Sequence, residues 1–231
     1  MIQILRFHRK QYLLTVLGTA AAFVAARWTP VIAWLAAPAV FWVIASLAVS
    51  WYVYDRSPLM RYEWLPAHLL RRPARWLNLH AGIDEATAPL LHILPESEGC
   101  SLDIFDAREM TETSIHEARR VNGVHEPQPI NWAKLRPQDA VFLIFTAHEI
   151  RCEDSRVRLF RRAAAVLSAG GEIAVVEHVR DWLNFLAFGP GFWHFLSLRT
   201  WRVTAAAAGL RIREEFSITP FVRVFLMEKS I

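Results

Sequence analysis

A pattern of strand, helix and strand decides the fold. It begins with Asp-Ala-Val-Phe-Leu-Ile-Phe-Thr-Ala-His-Glu-Ile (residues 139–150) and ends with Leu-Ser-Ala-Gly-Gly-Glu-Ile-Ala-Val-Val-Glu-His (residues 167–178). The apolar runs within both stretches have the length of buried strands. Residues 155–168 have helical character, and Gly170 and Gly171 follow where a helix C-cap and a turn are expected. Two strands joined by a helix predict a parallel pair.

The same alternation extends to both sides of this unit. Residues 110–120 predict another helix, and two apolar runs around Thr219 and Pro220 predict an antiparallel pair at one edge. We therefore predict that residues 76–231 form an α/β domain, with a doubly wound, mostly parallel sheet and an antiparallel edge hairpin. The predicted strands are residues 77–79, 101–105, 140–145, 172–176, 210–218 and 222–228.

The first 55 residues hold most of the apolar surplus of a chain in which 54% of the residues are hydrophobic. Residues 12–26 and 31–54 are two uncharged runs, and Pro30 is well placed to open the second as a helix. A membrane span needs about 20 apolar residues. We predict a transmembrane helical hairpin over residues 1–55, with a buried soluble hairpin as the alternative. A cleaved signal peptide is disfavoured, because the second run follows at once.

Basic residues flank both ends of the predicted hairpin, whereas its turn has Arg27 alone. This bias places both ends on the cytoplasmic side of the inner (cytoplasmic) membrane. Within the juxtamembrane segment, residues 56–75, the stretch 64–75 has Leu65, Leu69 and Leu70 beside three arginines. This stretch predicts a helix that lies on an anionic membrane surface. The flanking basic residues are Arg6, Arg9 and Lys10 before the hairpin, and Arg56, Arg61, Arg71, Arg72 and Arg75 after it.

Composition excludes several other classes of protein. With 26 basic and 22 acidic residues, the net charge is only +4. The arginines lie beside the apolar runs and on one helix face, so no nucleic-acid partner is predicted. Cys100 and Cys152 are too few for a disulfide scaffold and lack the spacing of a zinc site. The oligomeric state stays open, and a homo-oligomer is compatible with the sequence.

Together with Leu-Asp-Ile-Phe-Asp (residues 102–106), the two stretches quoted above resemble the class I S-adenosylmethionine-dependent methyltransferases. The resemblance is closest to the branch that includes the ubiquinone and menaquinone C-methyltransferases, and it covers residues 74–229. It implies a Rossmann-like methyltransferase fold and S-adenosyl-L-methionine as the cofactor.

The resemblance places the cofactor at the residues that follow the strands. The alternating glycines of the family are reduced to one glycine in residues 78–85. Either an altered loop holds the cofactor, with Asp84 or Glu85 at its ammonium group, or the fold survives as a scaffold. Asp106 is the predicted ligand of the ribose hydroxyls, with Asp103 as the reserve and helix capping as the alternative for Asp106. The implied cofactor-binding residues are Asn78, His80, Gly82, Asp84, Asp106, Asn131 and Trp132, the last two at the adenine.

Two pairs of histidine and glutamate follow neighbouring strands, namely His148 with Glu149 and Glu177 with His178. Parallel strands present their carboxyl ends to one side, so both pairs are expected to open toward one pocket. A base near neutral pH assists methyl transfer to a phenol or an activated carbon. We predict His148 as the first catalytic residue, His178 as the second and Glu149 beside them; a hydrogen-bonded residue at a strand end is the alternative for each histidine. The pairs could also hold a divalent metal, but neither has His-x-x-x-His spacing, and no metal ligand is assigned.

An aromatic segment, residues 181–195, follows the last parallel strand. Core packing, a wedge in the bilayer and the lining of a pocket for a hydrophobic acceptor are three open interpretations. Gly189, Pro190 and Gly191 would break a helix and could hinge a lid. The predicted substrate-binding residues are Phe185, Phe188, Phe192, Trp193 and His194.

These features predict a membrane-anchored methyltransferase that acts at the cytoplasmic face on a lipophilic small molecule, such as a quinone precursor, an aryl lipid or aryl polyene, or a fatty-acid derivative. Anchoring raises the effective concentration of a substrate dissolved in the bilayer. Methylation of oxygen and of carbon both stay open. The alternatives are a catalytically inactive scaffold or partner of a lipid-modifying complex, and metal-assisted use of the same cofactor.

Overall fold

The computed structural model describes residues 31–230, together with residues 17, 18, 21, 22, 24 and 27. Most of the first uncharged run, residues 12–26, therefore lies outside the described residues, and the predicted hairpin stays a prediction.

Helix α1 spans Val31–Trp51 and continues into a wider π-helical turn, Tyr52–Arg56. Within the described part of the chain, Ala37–Arg61 is the one stretch that is long and apolar enough to cross a membrane. Only 11% of its most apolar window is buried. The core helix of a soluble protein would be mostly buried, so this helix exposes apolar surface that the described residues do not cover. Its exposed large side chains are Trp34, Phe41, Ile44, Trp51 and Tyr52.

A six-stranded mixed sheet follows, in the spatial order β2-β1-β3-β4-β6-β5. Strands β1 to β4 are parallel to their neighbours, and β6 lies antiparallel between β4 and β5. The prediction of a mostly parallel sheet with an antiparallel edge pair is confirmed. Strand β2 lies on one side of β1 and β3 on the other. This switch in strand order opens a crevice at the carboxyl ends of β1 and β3. The strands are β1 Arg75–His80, β2 Glu98–Asp103, β3 Gln138–Ile144, β4 Leu167–His178, β5 Leu210–Thr219 and β6 Val222–Lys229.

Helices cover both faces of the sheet, because side chains alternate along each strand. Leu77 and Leu79 belong to a core with the helices that follow β3 and precede β5. Trp76, which precedes Leu77, faces the other way and belongs to a second core with residues 53–69 and the helix after β1. The helices are α2 Leu65–His68, α3 Thr87–Ile93, α4 Thr113–Val121, α5 Glu153–Val166, α6 Trp182–Phe188 and α7 Leu198–Ala207, with 3₁₀ turns at Leu59–Arg61, Trp132–Lys134, Ala147–Glu149 and Gly189–His194.

The structure corrects the role predicted for Gly170 and Gly171. Helix α5 ends at Val166, and the glycines lie inside β4 rather than at a helix C-cap. Gly170 has a φ of 70°, and a Cβ on Gly171 would come within 2.9 Å of the Gln138 carbonyl oxygen. The pairing with β3 shifts register at this point, so the glycines form a β-bulge.

The juxtamembrane segment also differs from its prediction. Leu65 and Leu69 are buried against the sheet, and only Leu70 is exposed. Arg71 donates to the Asp139 carboxylate over 2.6 Å. The prediction of a helix over residues 64–75 that lies on the membrane surface is wrong, because two of the three leucines in this stretch pack in the core.

Helix α1 meets the aromatic segment at a buried glycine. The rings of Trp42 and Phe185 pack edge to face, with 5.6 Å between their centroids. Gly189 has a φ of 55°, and a Cβ there would lie 2.6 Å from the Trp42 ring. Gly189 is therefore a packing position, and the structure gives no support to a lid hinge at this residue.

Replacing Gly189 by alanine should lower the free energy of unfolding by about 1–3 kcal/mol, because the new methyl group would push Trp42 aside in a backbone conformation that favours glycine. Thermal unfolding in detergent measures this change. Gly191→Ala is the matched control, since the nearest atom to its Cβ would be 4.0 Å away. Equal shifts in the two variants would contradict the packing argument.

Candidate functional site

Four ionisable side chains meet at the carboxyl ends of β3 and β4. His148 and Glu149 lie in the 3₁₀ turn that follows β3. Glu177 is the second-last residue of β4, and His194 ends the 3₁₀ turn after α6. The structure thus joins one predicted catalytic pair to a histidine that the sequence assigned to the substrate.

Hydrogen bonds and ion pairs organise this cluster around His148. Its Nδ1 lies 2.7 Å from Oε2 of Glu177, and its backbone N–H donates to the other oxygen of that carboxylate. Its Nε2 lies 3.4 Å from Oε1 of Glu149. His194 Nε2 approaches the same Glu149 oxygen at 4.0 Å, and the two histidine rings pack edge to face at 5.0 Å. Among the described residues, none makes a hydrogen bond to Oε2 of Glu149.

The sequence predicted a catalytic base with a pKa near neutral pH. Neither histidine of the cluster has such a pKa in the structure. Burial would lower the pKa of His148, but the carboxylates of Glu177 and Glu149 raise it to about 10. Burial and the neighbouring His148 charge lower the pKa of His194 to about 4. At neutral pH this arrangement keeps a proton on His148 and leaves His194 neutral.

His178 does not join the cluster through either ring nitrogen. Nδ1 lies 2.9 Å from the Phe221 carbonyl oxygen and must donate to it, so Nε2 accepts from the Tyr54 hydroxyl at 2.9 Å. The Phe195 ring stacks on the imidazole at 4.8 Å. Burial lowers its pKa to about 4. The alternative of a hydrogen-bonded histidine at a strand end therefore describes His178, which links the turn after α1 to the end of β4.

The loop after β1 is held by its own polar groups. Asn78 donates to Asp84 and to the Thr87 hydroxyl. Asp84 also accepts from the backbone N–H groups of Ala86 and Thr87 at the start of α3. His80 Nδ1 accepts from the backbone N–H of Gly82. The side chains of three predicted cofactor residues, Asn78, His80 and Asp84, thus shape the loop.

Asp103 and Arg119 form a buried ion pair at the end of β2. Arg119 Nη1 lies 2.7 Å from Asp103 Oδ2 and 2.9 Å from the Ala81 carbonyl oxygen. Its guanidinium lies 4.0 Å from the centre of the Phe105 ring. Gly82 has a φ of 105°, and a Cβ there would clash with the guanidinium. Sequence reasoning missed Arg119, although its position four residues after the buried Ile115 indicated the inner face of α4.

The other predicted cofactor residues, Asp106, Asn131 and Trp132, lie outside the loop that follows β1. Asp106 is exposed beyond the end of β2, and its carboxylate accepts from the backbone N–H of Arg108. Asp106 therefore caps a turn, whereas the alternative prediction was that it caps a helix. Asn131 and Trp132 lie at the turn before β3, where Arg162, near the end of α5, stacks over the indole at 6.0 Å. The Trp132 side chain therefore packs against other residues of the protein.

The aromatic segment divides into two faces. Phe185 and Phe192 pack together and toward α1, whereas Phe188 contacts the His178 ring. The Trp193 ring is exposed beneath the Arg180 guanidinium at 5.0 Å. The outer face exposes Trp182, Leu183, Leu186 and Trp193. The segment thus joins the histidine cluster to the apolar surface of α1.

Comparison with solved structures identifies the fold. The pyocyanin biosynthetic protein PhzM aligns with 94% of this chain, at 16% identity and a TM-score of 0.55, over 72% of its own length. Human N-acetylserotonin methyltransferase, solved with S-adenosylmethionine, aligns with 84% of this chain at 15% identity and a TM-score of 0.54, over 56% of its length. An O-methyltransferase from neocarzinostatin biosynthesis, solved with S-adenosylmethionine and 2-hydroxy-5-methyl naphthoic acid, aligns with 90% at 18% identity and a TM-score of 0.50, over 60% of its length.

This chain therefore spans less than two thirds of the length of the last two proteins. At these identities the similarity shows the fold alone, which this chain shares with methyltransferases solved with S-adenosylmethionine. None of the three is named as a ubiquinone or menaquinone enzyme, so the placement in that branch stays a prediction. No family model and no curated protein matches the sequence.

Proposed function

We propose that the protein is an S-adenosylmethionine-dependent methyltransferase that acts on a lipophilic acceptor at the cytoplasmic face of a membrane. The observation that carries this proposal is the position of the histidine cluster. The cluster lies at the carboxyl ends of the central strands, and the aromatic segment connects it directly to α1.

The crevice between β1 and β3 offers a candidate ligand for the cofactor at the end of β2. Gly82, after β1, is not a second one, because the Arg119 guanidinium occupies the space that a side chain would fill there. Asp103 ends β2 directly beside His80, at the edge of the same crevice. Asp103 therefore replaces Asp106 as our candidate for the ribose hydroxyls, and Arg119 orients its carboxylate through a hydrogen bond. The bound cofactor would supply a methyl group on a positively charged sulfur.

The histidine cluster would receive the nucleophilic group of the acceptor. Donors and acceptors at His148, Glu149 and His194 suit a hydroxyl group better than a carbon atom, so we favour methylation of oxygen. Glu177 would act as a positioning residue, because it holds the His148 ring through Nδ1. The adjoining aromatic side chains would hold the apolar body of the acceptor and exclude water.

Two exposed apolar surfaces support the membrane location. Helix α1 and the outer face of α6 lie side by side, and both present large apolar side chains to solvent. Arg56 and Arg61 lie at the end of the apolar stretch Ala37–Arg61. Basic residues at this end agree with the rule that basic residues flank membrane spans on the cytoplasmic side. A hydroxylated quinone precursor or aryl lipid would reach the cluster along this surface.

The cofactor loop favours a second candidate function, a catalytically inactive scaffold of a lipid-modifying complex. Asp84 and Asp103 already have partners within the protein, and the loop retains one glycine. Cofactor binding separates the two functions.

Calorimetric titration of the detergent-purified chain with S-adenosylmethionine and S-adenosylhomocysteine is expected to show binding of both. Asp103→Asn should weaken binding by about tenfold or more, since a hydrogen bond to a charged group contributes about 1.5–3 kcal/mol. Asp106→Asn is the control and should bind normally. If the folded chain binds neither ligand, the methyltransferase proposal is wrong and the inactive scaffold is the remaining candidate. Equal effects of the two substitutions would refute the assignment of Asp103 to the ribose hydroxyls.

The acceptor class is tested by incubating membranes with the protein and methyl-labelled S-adenosylmethionine. Label should enter the organic extract, and the labelled compound should exceed its precursor by the mass of one CH₂ group. Transfer only to water-soluble compounds would contradict a lipophilic acceptor.

A further inference from the structure

We propose that His148, Glu149 and His194 together bind a divalent transition-metal ion. Their nearest ligand atoms all lie within 4.8 Å of one another. Ligands at about 2.0–2.2 Å from one metal lie roughly 3–4 Å apart. The separations from Glu149 Oε1, 3.4 Å to His148 and 4.0 Å to His194, are already in that range. Metal binding by this triad does not depend on the methyl transfer proposed above.

The carboxylate of Glu149 is the strongest indication of a missing partner. The Glu149 side chain is 90% buried, and within the described residues its Oε2 atom has no hydrogen-bond partner. A buried polar atom without a partner is destabilising, and more so when it is charged. A metal ion bound by this carboxylate would remove that destabilisation.

Glu177 provides the outer support that metal-binding histidines commonly have. Its buried carboxylate accepts the hydrogen of His148 Nδ1, at 2.7 Å, which fixes the ring orientation. A metal ion would displace the proton that Nε2 carries and bind that nitrogen. Arg151 donates to the backbone carbonyl oxygens of His148 and His194 and forms its ion pair with Glu112 rather than with Glu149.

The ligand set selects the class of metal. Two imidazole nitrogens and one carboxylate oxygen suit Zn²⁺, Co²⁺, Mn²⁺ or Fe²⁺, whereas Mg²⁺ and Ca²⁺ prefer oxygen ligands throughout. Three protein ligands leave at least one position for an oxygen ligand. His194 is the most exposed of the three, so that position would face its side of the cluster.

The test uses the full chain, purified in detergent with a tag that lacks histidine and stripped with a chelator. Titration with ZnCl₂ should show one ion per chain, and CoCl₂ should give the visible absorption of a Co²⁺ ion bound by nitrogen and oxygen. Glu149→Gln and His194→Ala should each weaken Zn²⁺ binding by about tenfold or more, and Glu177→Gln by about 10–100-fold.

His92→Ala is the matched control, because His92 is exposed on α3 outside the triad and should leave binding unchanged. Circular dichroism verifies that each variant folds. If a variant does not fold, the Co²⁺ spectrum of the unaltered chain still identifies the ligand atoms. Uptake well below one ion per chain, or equal affinity in the triad variants and in His92→Ala, would overturn the proposal.

Discussion

Replacing Arg119 by leucine is expected to lower the free energy of unfolding by about 3–5 kcal/mol. The side chains of Arg119 and Asp103 are only 5% and 15% exposed. Leucine would leave the Asp103 carboxylate without its cation and the carbonyl oxygens of Ala81 and His125 without their donor. Leucine would also replace the cation–π contact with the Phe105 ring by a contact between two apolar groups.

Arg120→Leu is the control, since the neighbouring arginine is 68% exposed and its pair with Glu117 lies at the surface. Surface substitutions of this kind change stability by less than about 0.5 kcal/mol. Thermal and denaturant unfolding of both variants in detergent measures the difference. Similar values for the two arginines would show that Arg119 does not hold β1, β2 and α4 together.

Replacing His148 by glutamine should reduce the rate of methyl transfer to the lipid extract by about 10²–10⁴-fold. His148 lies between the carboxylates of Glu177 and Glu149, and no other described side chain bridges the two. Glutamine retains hydrogen bonding but neither the basicity nor the charge of imidazole. The same loss is expected whether His148 handles a proton or holds a metal, because both need its Nε2 atom.

The initial rate of label transfer, measured at saturating S-adenosylmethionine, is the relevant quantity. Binding of the cofactor should stay within a factor of about two, since His148 has no contact with Asp103 or Gly82. His92→Ala should retain full activity. A fall in cofactor affinity equal to the fall in rate would assign His148 to cofactor binding, and an unchanged rate would remove it from the site.

The sequence predicted the sheet well because buried parallel strands leave a local pattern. Continuous apolar runs separated by a helix identify β3 and β4, and Thr219 and Pro220 mark the edge hairpin. The carboxyl ends of strands can be located without knowledge of side-chain contacts, and so the sequence predicted that His148 and Glu149 lie at this edge of the sheet. The glycines of β4 were misassigned because a β-bulge depends on the neighbouring strand, which the local sequence does not show.

By itself, the sequence thus determined the α/β class, the apolar N-terminal region and the edge of the sheet that carries the histidine cluster. Only the tertiary structure decided which side chains meet there. It joined His194 to His148 across 46 positions of the chain, enclosed His178 among aromatic rings, and placed Arg119 against Asp103 and Gly82. The physical reason is that strand and helix patterns arise from local periodicity. The ionisation and partners of a buried group depend instead on neighbours that are distant in sequence.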